Sequence, residues 1–88
     1  MDREIYNRPW FVYIARCRDK TLYTGVAKDV DERIRDHNET KKCRYTRFRK
    51  PLIVVYKEEC TDYNTARKRE KEIKKFRREK KLKLIHGR

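Results

Sequence analysis

Apolar residues gather in two short blocks early in the chain, WFVYIARC at 10–17 and LYTGVA at 22–27. Both are rich in aromatic and β-branched types and read as strands. The four polar residues between them, RDKT, suit a hairpin connection. In the first block Trp10, Val12 and Ile14 share one parity while Phe11, Tyr13 and Ala15 share the other, so this strand calls for cover on both faces. Gly25 leaves room in the second for a bulge or a close backbone approach. A third apolar block, LIVVYK, follows Pro51, and its uninterrupted character reads as a central or well-covered strand.

Helical spacing takes over between and after these blocks. Asp29 is a candidate N-cap, with Asp31 and Glu32 in the first turn where the macrodipole favours negative charge, so a helix is expected over 29–38. With Val30 at zero on a wheel, Ile34 falls at about 40°, His37 at about 340° and Arg33 at about 300°, which places Arg33 and His37 on the inward side. Thr61 or Asp62 can cap a second helix over 63–76. With Tyr63 at zero, Ala66 lies at about 300°, Glu70 at about 340° and Ile73 at about 280°, so Glu70 falls within the apolar stripe. A buried carboxylate is costly unless it meets a cation, a metal or a mouth open to water. A last short helix is expected in REKKLKLI, where Leu82 and Ile85 close the core.

At 88 residues the chain is read as a single domain, 1–88. Twenty-seven Lys and Arg against 14 Asp and Glu give a net charge of +13. That balance points to a polyanion, and nucleic acid fits better than an anionic membrane because the basic segments lack a Trp- or Leu-rich face for insertion. The longest apolar run, Trp10 to Ala15, is far short of the roughly 18 residues of a membrane span. The opening MDREIYNR lacks the apolar centre of a secretory signal, so the expected location is cytoplasmic. Cys17, Cys43 and Cys60 form no CxxC pair, and a disulfide framework or a zinc site with His37 and His86 does not fit.

The segment 38–50 is a basic loop. Lys41, Lys42, Arg44, Arg47, Arg49 and Lys50 can track a phosphate backbone, while Tyr45 and Phe48 either stack on unpaired bases or pack on the core. The stretch from Arg67 to Lys83 adds eleven more cations.

Tyr13 in WFVYI, the YTG of Tyr23 to Gly25, the helix DVDERIRDH, the segment RYTRFRKPLIVVYKEE and the stretch ARKREKEIKKF together resemble a GIY-YIG nuclease domain. The likeness extends over residues 10–85 and is strongest to the small bacterial members labelled endonuclease-like. It implies an α/β (α+β) fold, a three-stranded antiparallel sheet flanked by helices, and a metal-dependent endonuclease of low sequence specificity. By motif position the implied catalytic residues are Tyr13, Tyr23, Arg33, His37 and Glu70. In that scheme one tyrosine helps deprotonate the attacking water, Arg33 stabilises the phosphate, and Glu70 holds a single Mg²⁺ or Mn²⁺. The implied partner is nucleic acid, DNA ahead of RNA, with no membrane and no obligate protein partner.

Many family members carry an asparagine after the metal glutamate, and none follows Phe76 here. The alternative is therefore a DNA- or RNA-binding module on the same scaffold.

Overall fold

The computed structural model describes residues 9–39 and 49–87. In chain order the elements are β1 (Trp10–Arg16), β2 (Leu22–Ala27), α1 (Val30–Glu39), β3 (Ile53–Cys60), α2 (Tyr63–Lys74) and α3 (Arg78–Ile85). The sheet is antiparallel in the order β2-β1-β3. The α+β architecture is thus as expected. The central strand is β1 rather than the third apolar block. Its residues Val12, Tyr13, Ile14 and Ala15 are all at most 1% exposed, because helices cover both faces of the sheet.

The continuous apolar run of β3 has a different cause from centrality. Ile14 pairs with Tyr56 and Ala15 with Val54, so Val55 is skipped at a bulge. Val54 packs with the α1 layer, whereas Val55 and Tyr56 both turn to the other layer. Two adjacent apolar residues therefore serve one face, and Ile53 at the strand's start stays 52% exposed.

Alternation along β1 builds two separate cores. Tyr13, Ala15 and Ala27 pack with Val30 and Ile34 of α1 and with Leu52. Val12, Ile14 and Cys60 pack with Ala66 and Ile73 of α2, with Phe76, Leu84 and Ile85 at the margin. Contrary to the expectation for Leu82 and Ile85, α3 has no fully buried residue. It lines the edge of the second core and does not seal it.

Local polar contacts fix the helix phases and the chain's return. The Asp29 carboxylate accepts from the Glu32 amide at 3.0 Å, and that of Asp62 from the Thr65 amide at 2.8 Å, which identifies Asp62 as the second cap. Asn38 accepts from the Leu52 amide at 2.7 Å and donates to the Leu52 carbonyl at 3.1 Å. The end of α1 is thereby tied to the entry of β3.

Candidate functional site

The α1 face of the sheet carries a row of polar rings. Tyr13 lies opposite Gly25 and Tyr23 opposite Ala15 in the β1–β2 register, so both tyrosines project to the same side. A Cβ on Gly25 would stand 2.6 Å from the Tyr13 hydroxyl oxygen and 2.8 Å from its Cζ. The glycine thus makes a close approach and no bulge. The Tyr13 ring lies across it and carries its hydroxyl from the central strand out over β2.

Tyr23 continues the row. Its ring centroid is 6.3 Å from that of Tyr13 and 5.2 Å from that of His37. His37 reaches this position from the inward stripe of α1 and is 5% exposed. Burial first, and the neighbouring Arg33 charge second, hold its pKa below the ordinary 6.5, against a smaller opposing effect of Asp36. The imidazole is therefore neutral at pH 7 and able to accept a proton.

Arg33 departs from the expected inward placement. It is exposed on α1. At about 300° it lies on the flank of the stripe, and β2 at the edge of the sheet leaves that flank to solvent. Arg33 lines a cleft of about 560 Å³ together with Trp10, Val26, Lys28, Asp29, Glu32 and Asp36. Trp10 and Val26 belong to the α2 side of the sheet, so this cleft runs from α1 round the C-terminal end of β2 to the start of β1.

Glu70 sits in the other layer. It is 5% exposed on the stripe that includes Ala66 and Ile73. Its Oε1 pairs with Arg67 and its Oε2 with Lys74 at 3.3 Å, both from the same helix. The side chains of those partners are 40% and 53% exposed, so the cations approach from solvent while the carboxylate is held at the sheet. The structure thus gathers Tyr13, Tyr23 and His37, places Arg33 beside them at the sheet edge, and sets Glu70 across the sheet in α2.

Among the described residues no three His, Cys, Asp or Glu side chains are grouped to hold a metal. A hard divalent cation that keeps most of its waters needs few protein ligands. Glu70 fits that requirement as a lone, fixed carboxylate whose present partners are surface arms able to swing away.

Six of the predicted nucleic-acid contacts, Lys41, Lys42, Arg44, Tyr45, Arg47 and Phe48, lie outside the described residues, as does Cys43. Arg49 lies 3.7 Å from the Asp19 carboxylate, and Lys50 is half-buried. Cys17 and Cys60 are buried free thiols. Two features were not singled out from sequence. Thr24, on the α2 side of β2, is 4% exposed, and its hydroxyl has no hydrogen-bond partner among the described residues. Trp10 and Tyr63 meet edge-on at 4.7 Å, with the Lys28 ammonium 5.4 Å from the Trp10 ring. Sequence spacing alone assigns Trp10 to the core, and only the fold brings α2 against it.

Known proteins are similar to this chain in sequence and in fold. The family model described as the GIY-YIG catalytic domain matches residues 9–83. A UPF0213 protein of Staphylococcus epidermidis is 51% identical over 75 residues, which cover 85% of this chain and 92% of that protein. A UPF0213 protein of Staphylococcus aureus is 49% identical over 78 residues, covering 89% of this chain and 95% of its own. The solution NMR structure of the UPF0213 protein BH0048 from Bacillus halodurans superimposes with a TM-score of 0.57 at 37% identity, covering 89% of this chain and 83% of that one.

Proposed function

The chain belongs to the GIY-YIG family, and on that premise we propose that it is a metal-dependent endonuclease of low sequence specificity, acting on DNA before RNA. The family domain itself implies a nuclease-type function on nucleic acid, and nucleases of this family are generally dependent on a divalent metal. The observation that carries the reading is the ring row Tyr13–Tyr23–His37. Three separate elements build it around a glycine, in a layer whose packing alone needs neither hydroxyls nor an imidazole.

Phosphodiester hydrolysis requires an aligned water, charge stabilisation at the nonbridging oxygens and help for the leaving oxygen. Arg33 offers a planar, permanently charged fork to the phosphate. His37, neutral and one helical turn away, accepts a proton or a hydrogen bond from the attacking water. The Tyr13 and Tyr23 hydroxyls orient that water by hydrogen bonding. Glu70 would hold one Mg²⁺ or Mn²⁺ on the α2 side of the sheet, where the helix packs on the edge strand β2, and when bound the ion supplies Lewis-acid stabilisation to a phosphate lying across that edge. Arg67 and Lys74 would yield the carboxylate as the ion arrives.

Single-stranded, branched and duplex DNA incubated with Mg²⁺ or Mn²⁺ provide the test. Cleavage is expected, with Arg33→Ala and Glu70→Ala each reducing the rate by about 10²-fold or more while leaving the fold intact. Absence of cleavage, or its survival in both variants, ends the enzymatic reading. The double ion pair at Glu70 favours a second reading, a binding module without turnover. In that case strands bind, no hydrolysis occurs, and Glu70→Ala has little effect on affinity.

A further inference from the structure

We propose that the cleft at the start of β1 is a stacking site for an unpaired nucleobase, with Trp10 as its aromatic wall and the exposed Tyr63 ring, packed edge-on against Trp10, beside it. The inference rests on the nuclease reading only for its place beside the reacting phosphate. Trp10 is half-buried and Tyr63, at the first residue of α2, is 46% exposed. Their edge-on contact at 4.7 Å holds both rings in place. The Lys28 ammonium, on an exposed arm, lies 5.4 Å from the Trp10 ring and swings off that face to meet the phosphate when a base stacks there.

The charges lining the cleft separate base from backbone. Lys28 and Arg33 attract phosphate, whereas Glu32 and Asp36 on the α1 wall repel it. Asp29 is engaged in capping α1. Carboxylates accept hydrogen bonds from the amino groups of bases, and a ring inserted between such acceptors and an aromatic wall satisfies both. A single strand can turn a base inward while its phosphates stay at Lys28 and Arg33. A paired duplex would keep its bases stacked and bring phosphates against the acidic wall. The cleft also lies in register with Glu70. Seven residues of α2 separate Tyr63 from Glu70, about 10 Å along the helix, so the stacked base sits within a few nucleotides of a phosphate at that carboxylate.

Trp10 is the chain's only tryptophan and reports on the site directly. With EDTA present, a short mixed-sequence single strand and a blunt hairpin duplex of equal phosphate count are titrated, and occupancy is followed by the anisotropy of a label on the nucleic acid. The single strand is expected to quench Trp10 emission strongly, and the duplex at equal occupancy to leave it near its free value. Tyr63→Ala, at an exposed position, should weaken single-strand binding about tenfold and duplex binding less than about twofold. Trp10→Leu, its fold checked by circular dichroism, should lose the same preference. Equal quenching by both ligands, or equal weakening of both by Tyr63→Ala, overturns the proposal. Cleavage scored separately in Mg²⁺ keeps the two readings apart. Hydrolysis without selective quenching overturns the stacking site alone, and selective quenching without hydrolysis supports it while removing the nuclease.

Discussion

At Gly25 the missing side chain is the interaction. The facing Tyr13 is 1% exposed and its ring occupies the volume a methyl group would need, with Cζ at 2.8 Å and Cε1 at 3.1 Å as well as the hydroxyl at 2.6 Å. A ring locked on both sides cannot yield as a surface side chain would, so Gly25→Ala should destabilise the protein by about 1–3 kcal/mol in urea unfolding. In a Tyr13→Ala background the obstacle is gone and the same substitution should cost little; an equal cost in both backgrounds would show that the ring is not the cause. His37 provides a second residue-level test. Its pKa is depressed by burial in the folded state, so on acidification the unfolded chain takes up a proton that the folded chain refuses. Stability should therefore fall as pH drops below about 6.5, and stop falling on this account once the folded-state pKa is passed. Above about pH 5 the carboxylates of Asp19 and Asp62, both held low by hydrogen bonds from Thr21 and Thr65, are ionised in both states and add nothing to that slope. His37→Gln should flatten the stability profile between about pH 5 and 6.5, and an unchanged slope would refute the assignment.

At the scale of elements, legibility in the sequence followed how local the determining physics is. The apolar residues on both parities of β1 announced cover on both faces, and the helix caps, read as Asp29 and as either Thr61 or Asp62, fell where expected, with Asp62 the second cap, because capping depends on residues within one turn. The inward placement of Glu70 followed from helical period alone; of the three compensations its burial called for, a cation, a metal or a mouth open to water, the same helix supplies cations at i−3 and i+4. Strand order was not legible. An apolar run produced by a bulge looks the same as one produced by a central position, and only the pairing of Ile14 and Ala15 with β3 distinguishes them. Arg33 was misplaced for a related reason: a wheel describes one helix, whereas exposure depends on where the neighbouring sheet ends. The gathering of Tyr13, Tyr23 and His37 came from the resemblance and not from periodicity, and the Trp10–Tyr63 contact required α2 to be docked on β1 before it could be seen.

For the molecule as a whole, the question is how a net charge of +13 is distributed. The helix α1 carries Asp31, Glu32, Asp36 and Glu39 against Arg33 and Arg35, a net negative element in a positive chain. At the hairpin end of the sheet a groove of about 590 Å³ is lined by Arg16, Arg18, Lys20, Arg78 and His86, with no acid among its described walls. Its floor of Leu22, Ile53, Val55, Leu82 and Ile85 has no aromatic ring. Such a groove can follow phosphates but cannot stack bases, the converse of the cleft beside Trp10. The two surfaces should therefore respond differently to salt. Each phosphate neutralised by Lys or Arg releases counterion, so single-strand affinity is expected to fall about a hundredfold between roughly 50 and 200 mM salt. Replacing both Arg18 and Arg78 by Gln should weaken binding at low salt and lower the log–log slope by about one unit. Tyr63→Ala should shift the whole line downward while preserving its slope, because base stacking displaces no ions. If the Arg18 and Arg78 substitutions left the slope unchanged, the basic groove would be excluded as the backbone track. The phosphate contacts would then rest on the other cations alone, Lys28 and Arg33 beside the stacking cleft and the basic segment at 41–50.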